Sequence, residues 1–531
     1  MELEKWPIFS LLKKDFVQKL KIACVFGALG NEAILVTKND EVYSMGFNGS
    51  GCLGVGDQTS TMIPREIEPL CSKKVKGFAY GIGPHVLAYT EDGELYSWGH
   101  NGFCQLGNGS TNQGLTPYLV SSHLNSKRVL KVAAGSHHSL ALTEDGEVLA
   151  WGQNNCGQIG SGTTTNQPTP EKLLPISEGG GLLTLLVVRH LQWLSWIMEK
   201  YVYGWGLNSN GQLGLGNTVN QHNTCRVTAL QGVVITKVAC GYSHTLALSD
   251  EGHLYAWGLN GYGQLGTGNK ANQCSPVRIA QDIDRIVDIA CTHYCHISAA
   301  MTQNSKIYLW GQCKGQSVVS PMETALESLH EVFALWANPS VTFEPIIITT
   351  STPTSLTQSM MTALDDPETS DIVFLVDGRK IHAHRAILKI RCQYFRKMLQ
   401  EHWKESQMEE VQIKDYSYVV FRAFLQHLYT DTVSVSPEDA IGLLDLANAY
   451  CEESVKHHCE RIIRHGITIE NVAMLYAVAI KYEAQELEEF CFRFALNHMT
   501  EVAQTEAFMA LDELTVKNFI QRAAQHGAFK Y

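Results

Sequence analysis

Between Lys131 and Thr163 the chain reads KVAAGSHHSLALTEDGEVLAWGQNNCGQIGSGT. An apolar run leads to a Gly and two His residues. Alternating residues then run to Glu144-Asp145-Gly146, and another apolar run ends on Trp151-Gly152. Asp-Gly between two such runs is a strong hairpin signal, because its backbone accepts the positive φ of a tight turn. The stretch predicts an apolar strand followed by an alternating run that turns at Asp-Gly into another.

The phrase recurs. ELYSWGHNGFCQLGNGS, YVYGWGLNSNGQLGLGN and HLYAWGLNGYGQLGTGN repeat its second half, and KVACGYSHTLALSDEGHL repeats its first. Anchoring on the residue before the first Gly gives Met45, Trp98, Trp151, Trp205, Trp257 and Trp310, in steps of 53, 53, 54, 52 and 53. No unit of this kind buries both faces of its small sheet alone, so neighbours must stack around an axis. Fixed-period, Gly-punctuated β units of this length imply a β-propeller. Six full repeats carry the anchor. Glu331–Ile348, EVFALWANPSVTFEPIII, is similar to the strands that precede an anchor, and a seventh sheet that helps to close the ring is expected there.

The phrases WGxNxxGQLGxG and GxxHxLALxxDGxxYxWG resemble the regulator of chromosome condensation repeat, over about residues 20–350. That resemblance implies a seven-bladed propeller. Its founding member is a nucleotide exchange factor for a small nuclear GTPase.

One phrase is missing. Where KVAxGxxHSLALxxDGE belongs, the chain has GGGLLTLLVVRHLQWLSWIMEK, Gly179 to Lys200. As a membrane span it is poor: Arg189 and His190 sit at its middle, and a central Arg costs about 2.5–3.5 kcal/mol on insertion. Back-translation and a shift of one base earlier suggest another origin. Trp196-Ile197 then forces an Asp codon and Met198-Glu199 a Gly codon, where the repeat has its turn. With permitted synonymous codons the shifted frame reads RVVNIACGQTSSMAVVDNGE, the missing phrase. A compensated frameshift over 179–200 is therefore the expectation, with a divergent blade as the alternative; no membrane association is expected.

After a Ser/Thr/Pro linker the pattern turns α+β. Ser355 and Gln358 form a capping-box pattern, and Leu356, Met360 and Leu364 share a helix face. SDIVFLVDGRKIHAHRAIL then reads as strand, Asp-Gly turn, strand and helix. With CQYFRKM and FRAFLQHLYTD, this stretch resembles a BTB/POZ domain, an interaction fold that is often a homodimer. The resemblance makes Leu356, Met360 and Leu364 candidate dimer-interface residues; a helix that caps its own domain is the alternative. In family members that recruit cullin-3 ligases, a hydrophobic-x-Glu motif follows the F-x-x-M segment. Met398, Trp403 and Glu405 of FRKMLQEHWKES match it, and a Trp anchor with a charge-assisted Glu suits a protein interface. From about Ser454 the helices resemble BACK helices. The expected division is 1–352 propeller, 353–368 linker and dimer helix, 369–455 BTB/POZ and 456–531 BACK-like. End to end the chain is similar to RCC-and-BTB-domain-containing proteins.

Composition narrows the function. The net charge of −12 disfavours a nucleic-acid backbone binder. The opening MELEKWPIFSLLKKDF lacks the apolar run of a secretory signal, and fifteen cysteines without one read as reduced intracellular thiols. Nucleus and cytoplasm are the expected compartments. Gly261, Gly263 and Gly266 satisfy G-x-G-x-x-G but repeat the NxxGQLG loop without a βαβ context. Cys291, His293, Cys295 and His296 suggest zinc, yet occupy the repeat's Cys-Gly-x-x-His strand with no second ligand pair, so packing is preferred. His382 and His384 are read as packed too. No nucleophile–base pair stands out, so no enzyme activity, cofactor or metal is expected. The leading reading is a substrate-recruiting adaptor of a cullin-3-type ubiquitin ligase: BTB binds the cullin and self-associates, and the propeller binds unidentified protein substrates. The alternative is a chromatin-associated cell-cycle regulator or a guanine nucleotide exchange factor. Sequencing the transcript across Trp196–Glu199 is expected to recover the Asp-x-Gly frame; an unshifted frame would retire the frameshift reading.

Overall fold

The computed structural model describes residues 3–124, 127–173, 182–188, 191–196, 201–348, 355–399 and 410–525. The chain divides into two units, Met1–Thr350 and Ser351–Tyr531.

Each repeat of the first unit folds as an antiparallel meander. In the third, Val129–Ala134, His138–Thr143, Val148–Gly152 and Gln167–Lys172 hydrogen-bond in sequence order. Six such sheets form among the described residues, as a propeller requires. The stretch with the missing phrase also takes strand backbone: Leu182–Val188 and Leu191–Trp196 pair antiparallel and join Tyr201–Gly206 and Gln221–Arg226. Residues 179–181, 189–190 and 197–200 of the suspected frameshift lie outside the described residues. No helix among the described residues is long and apolar enough to cross a membrane.

The anchor tryptophans join the sheets. Trp98, Trp151, Trp205, Trp257 and Trp310 are fully buried. Each Nε1–H donates to a backbone carbonyl 45–47 residues earlier, in the preceding repeat's loop: Cys52, Gln105, Gln158, Gln212 and Gln264, at 2.8, 2.8, 3.2, 2.8 and 2.9 Å. Glycine is required beside the ring. A Cβ on Gly266 would stand 2.9 Å from Trp310 Nε1, and its φ of +72° is left-handed. The loops are held from within by asparagine. Asn260 Oδ1 accepts from Leu265 N at 2.9 Å, while its Nδ2 donates to Asn269 O and Ala271 O at 3.0 Å each. Asn48, Asn101, Asn154 and Asn208 use the same Oδ1-to-i+5 bond.

A second tie links some neighbours. His85 Nε2 and Ser139 Oγ share a hydrogen bond of 3.0 Å, and His244 Nε2 and Ser298 Oγ one of 2.9 Å. Burial pushes the two imidazoles down, to about 4 and about 3. In the first sheet the position of His85 is taken by Glu32, paired with Gly46 as His85 is with Gly99. The residue after His85 in the second sheet is Val86, where the third has Ser139. Glu32 Oε2 is thus left buried without a hydrogen-bond partner, and burial pushes this carboxyl up to about 7.

The expected seventh sheet does not form from Glu331–Ile348. Leu329–Leu335 is a helix, and Ile346–Ile347 instead adds an edge strand to the first sheet, beside its first strand, pairing with Ala23 and Ile22. The first repeat has Met45 where the others have Trp, and the closing segment bonds instead to the first and second sheets. Thr342 N donates to Val25 O at 2.9 Å, Val25 N donates to Thr342 Oγ1 at 3.1 Å, and Tyr80 Oη donates to Thr342 O at 2.8 Å.

The second unit starts with the helix Ser355–Ala363 and a three-stranded sheet. Ile372–Val376 pairs antiparallel with Arg379–Ala383 across the Asp377-Gly378 turn, and parallel with Glu410–Ile413. Both turn residues have positive φ, 50° and 73°, as the Asp-Gly signal requires. Helices follow: Arg385–Arg391, Gln393–Met398, Tyr418–Thr430, Pro437–Ala449, Glu453–Arg464, Val472–Lys481, Gln485–Asn497 and Glu513–Gln525, with short turns between the last two. Ser417 and Ser436 cap two of them, accepting from Val420 N and Asp439 N. One buried apolar cluster runs from Leu364 to Ala523. The boundary expected after residue 455 therefore falls inside a helix and inside a shared core.

Two predictions follow from these ties. Trp98→Phe strips Cys52 O of its indole donor and should cost about 1–3 kcal/mol in urea unfolding. Trp6, whose buried Nε1 has no partner, should tolerate Phe at far smaller cost, and equal losses would refute the role given to the bond. Glu32 and His85 work with opposite sign in pH. The folded carboxyl value of Glu32 is raised, so its contribution is lost as pH rises from about 4.5 to about 7. The folded value of His85 is depressed, so its contribution is lost as pH falls from about 6.5 to about 4. Glu32→Gln should therefore stabilise the chain at pH 8, by about 3 kcal/mol at most, and do little at pH 5. A gain independent of pH would overturn the assignment.

Candidate functional site

In the second, third and fifth repeats the first strand runs out to the turn before the buried histidine, the second returns to the Asp-Gly or Glu-Gly turn, and the third runs out again to Trp-Gly. The first turn and the long loop after the third strand therefore share one end of each sheet. That end is nearly free of charge. The loops 47–60, 100–113, 153–166, 207–220 and 259–272 contain only Asp57 and Lys270 among Asp, Glu, Lys and Arg. The opposite end carries Lys38-Asn39-Asp40, Glu91-Asp92, Glu144-Asp145 and Asp250-Glu251.

Aromatic and imidazole rings stand on the charge-poor end, at equivalent positions three repeats apart. His137 packs on Phe103, with ring centroids 4.7 Å apart, and on His100 at 5.7 Å. His296 packs between Tyr242 and Tyr262, at 4.6 and 4.8 Å. In both places a loop ring of one repeat meets a turn imidazole of the next. Phe47 is half exposed and Tyr262 is 40% exposed. Such rings offer contact area at low entropic cost, which suits a protein interface. Alignment of NGF with NGY, and of the two turn histidines, holds the sequence signal for these pairs; the reading from sequence passed over them.

The sequence-predicted groups divide. Met398 ends the helix Gln393–Met398, half-buried against the apolar cluster of its unit. That helix is pinned by Phe395, buried between Phe374 and Phe424, and by Tyr394 stacked on Tyr450 at 4.0 Å. Trp403 and Glu405 lie outside the described residues. Met360 and Leu364 face inward on their own unit: Leu364 is buried in its core and Met360 packs against it. Met361 is the exposed neighbour, at 51%. The side chain of Leu356 is outside the described residues.

The metal-like clusters make other contacts. Ile297 pairs with Gly311 as His244 pairs with Gly258, so Ile297 holds the repeat's histidine position. Thr292–His296 is therefore not the strand expected for CTHYCH but a turn, five residues where Gly241–Ser243 has three. Burial pushes the Cys295 thiol up to about 11 and Cys291 higher still, which opposes thiolate. His382 shares a hydrogen bond with Ser370 Oγ, and His384 with Tyr429 Oη and Thr369 Oγ1. Gly266, the last glycine of G-x-G-x-x-G, lies under Trp310.

Comparison with known proteins agrees with this organisation. Residues 85–339 match the RCC1-like domain and residues 39–87 the regulator of chromosome condensation (RCC1) repeat. Residues 361–467 match the BTB/POZ domain and residues 472–524 the BTB And C-terminal Kelch domain, BACK. The chain is similar to the ultraviolet-B receptor UVR8 of Arabidopsis thaliana, 36% identical over 275 residues, 51% of this chain and 61% of that protein. It is also similar to the mitochondrial RCC1 domain-containing protein RUG3 of the same plant, 31% identical over 294 residues, 52% of this chain and 63% of that protein. The match thus spans about six tenths of the length of these relatives. Among solved structures, human WBSCR16 aligns with a TM-score of 0.50 and 23% identity, over 58% of this chain and 83% of that one, a likeness of fold. With RCC1 repeats, BTB/POZ and BACK domains in one chain and in this order, the protein belongs with the RCC-and-BTB-domain-containing proteins.

Proposed function

We propose that this protein is a non-enzymatic adaptor that recruits substrates to a cullin-3-type ubiquitin ligase. The observation that carries the reading is the pairing of two interaction surfaces in one chain. One is the charge-poor, aromatic–imidazole end of the propeller. The other is a BTB/POZ domain fused through a common core to BACK helices. The first suits a protein substrate and the second a cullin scaffold and a second copy of the chain. Such an adaptor performs no chemistry; it raises the concentration of a substrate beside the ligase. Trp403 and Glu405, with Met398, are the proposed cullin contacts, and Leu356, Met360 and Leu364 the proposed dimer contacts. Nucleus and cytoplasm are the proposed compartments.

Calorimetric titration of the full chain with the cullin-3 N-terminal domain should show tight binding. Trp403→Ala should weaken it by about thirtyfold, the effect of losing an interface anchor worth roughly 2 kcal/mol, and Glu405→Lys should abolish it. No binding by the intact chain would reject the adaptor reading and favour an exchange factor or a chromatin-bound regulator.

A further inference from the structure

The ring pairs on the charge-poor end obey the repeat. In the third sheet His138 pairs with Gly152, and in the sixth Ile297 pairs with Gly311. His137 and His296 hold the same place, one residue before that pair, and Gln153 and Gln312 the same place, one residue after the glycine. Phe103 and Tyr262 match too, each two residues after the asparagine that winds its loop, Asn101 and Asn260. Ring, imidazole and glutamine thus form one set, present where the second repeat meets the third and where the fifth meets the sixth, three repeats apart. In the first, second and fifth sheets the imidazole place holds Asn31, Pro84 and Ser243, and the glutamine place Phe47, His100 and Leu259. The fourth sheet has Leu207 after its glycine and follows a loop with Cys156 in the ring place. Its turn, 189–190, lies outside the described residues.

Each set is held together by its own contacts. Phe103 and His137 have ring centroids 4.7 Å apart, and Tyr262 and His296 4.8 Å. Gln153 N donates to His137 O at 2.9 Å, and Gln312 N to His296 O at 2.8 Å. A loop glutamine steadies each ring: Gln105 Oε1 accepts from Phe103 N at 3.0 Å, and Gln264 Oε1 from Tyr262 N at 2.9 Å. The rings are presented to solvent, Tyr262 at 40% exposure and Phe103, His137 and His296 half-buried. Gln153 is only 9% exposed, and its Oε1 has no hydrogen-bond partner among the described residues.

The surroundings set the class of partner. The first set stands among turns 81–84 and 135–137 and loops 100–113 and 153–166, which hold no Asp, Glu, Lys or Arg. Around the second, turns 241–243 and 292–296, loop 259–272 and residues 312–320 hold only Lys270 and Lys314. Both are engaged, Lys270 Nζ with Ser317 Oγ at 3.1 Å and Lys314 over the Trp336 ring. A charged segment would give up hydration here for no counter-charge, which disfavours acidic, basic and phosphorylated partners. Flat neutral rings with a primary amide beside them suit a proline-rich segment, whose extended form is set before binding. Its prolyl rings lie on the aromatic faces, and the glutamine amide serves the peptide C=O and N–H of the residues between prolines.

We propose that the two places are equivalent sites for an uncharged proline-rich segment, and that a protein carrying the segment twice seats on both at once. The proposal deepens the adaptor reading, on which it rests, by naming what the propeller end takes.

An uncharged alanine–proline peptide with blocked ends is the probe, titrated calorimetrically into the full chain. It is used as a single segment and as two segments joined by flexible Gly/Ser linkers of several lengths. The single peptide should bind at two sites per chain, and exchange of its alanines for Glu or Lys should weaken it about tenfold. Phe103→Ala and Tyr262→Ala should each remove one site and the double variant both. Phe47→Ala, which changes an exposed ring of neither set, should leave binding intact. At its best linker length the tandem peptide should bind about a hundredfold more tightly than the single one, and either single variant should remove that gain. Circular dichroism of each variant separates loss of binding from loss of fold. Absence of peptide binding, binding indifferent to the double variant in a folded chain, equal binding of the charged peptides, or an equal loss in Phe47→Ala would each overturn the proposal. A tandem peptide no tighter than the single one at any linker length would overturn the two-point seat. Cullin binding without peptide binding strikes this proposal alone, and peptide binding without cullin binding strikes the adaptor reading alone.

Discussion

The indole N–H that reaches back to the preceding repeat is the bond on which the propeller unit depends. A four-stranded sheet of this size has two faces to bury and no layer of its own to cover them. The anchor tryptophan solves both problems: its ring fills the space between neighbouring sheets, and its one polar atom finds a carbonyl there instead of being stranded. The demand then spreads outward. The carbonyl must be presented at a fixed place, so the loop that carries it is wound around a buried asparagine. The ring must approach the following turn, so a side chain cannot be tolerated there and glycine is used. The Asn, the Gly and the Trp of the recurring phrase are thus three parts of one arrangement, which is why they recur together.

The second unit follows another logic. Its small sheet supplies only the floor, and its stability rests on aromatic packing around Phe395 and Tyr450, where Phe374, Phe424 and Tyr394 meet. The apolar cluster continues without a break through the later helices. The BTB/POZ part and the BACK helices are therefore coupled mechanically, and a disturbance on either side of the Glu453–Arg464 helix is felt on the other.

Much of the fold was legible because it is written in short-range chemistry. Asp377-Gly378 named its hairpin, and the Trp-Gly anchors gave the period of the sheets. What escaped was set by distance along the chain. Nothing local to Glu331–Ile348 tells that its apolar residues make a helix and a borrowed strand, since the partner strand Leu20–Phe26 lies more than 300 residues earlier. Likewise, Ile297 occupies the histidine position because the turn before it is two residues longer, a shift that composition conceals. The candidate site was legible only in part. The histidines His382 and His384 were read as packed and do engage hydroxyls. The ring pairs Phe103–His137 and Tyr262–His296 depend on contacts between successive repeats and were invisible to a reading of one repeat at a time.

The closure of the first sheet has a consequence for synthesis. Val25 exchanges hydrogen bonds with Thr342, a residue 317 positions later. At translation rates of about 5–20 residues per second, the first sheet waits roughly a quarter of a minute to a minute for the strand that covers the edge of its first strand. During that time a β edge is bare on the nascent chain, beside sheets that can already dock through their tryptophans. The first blade made is thus the last one finished, and in the cell a chaperone that shields strand edges would find its longest-lived substrate at the N-terminal end of this protein.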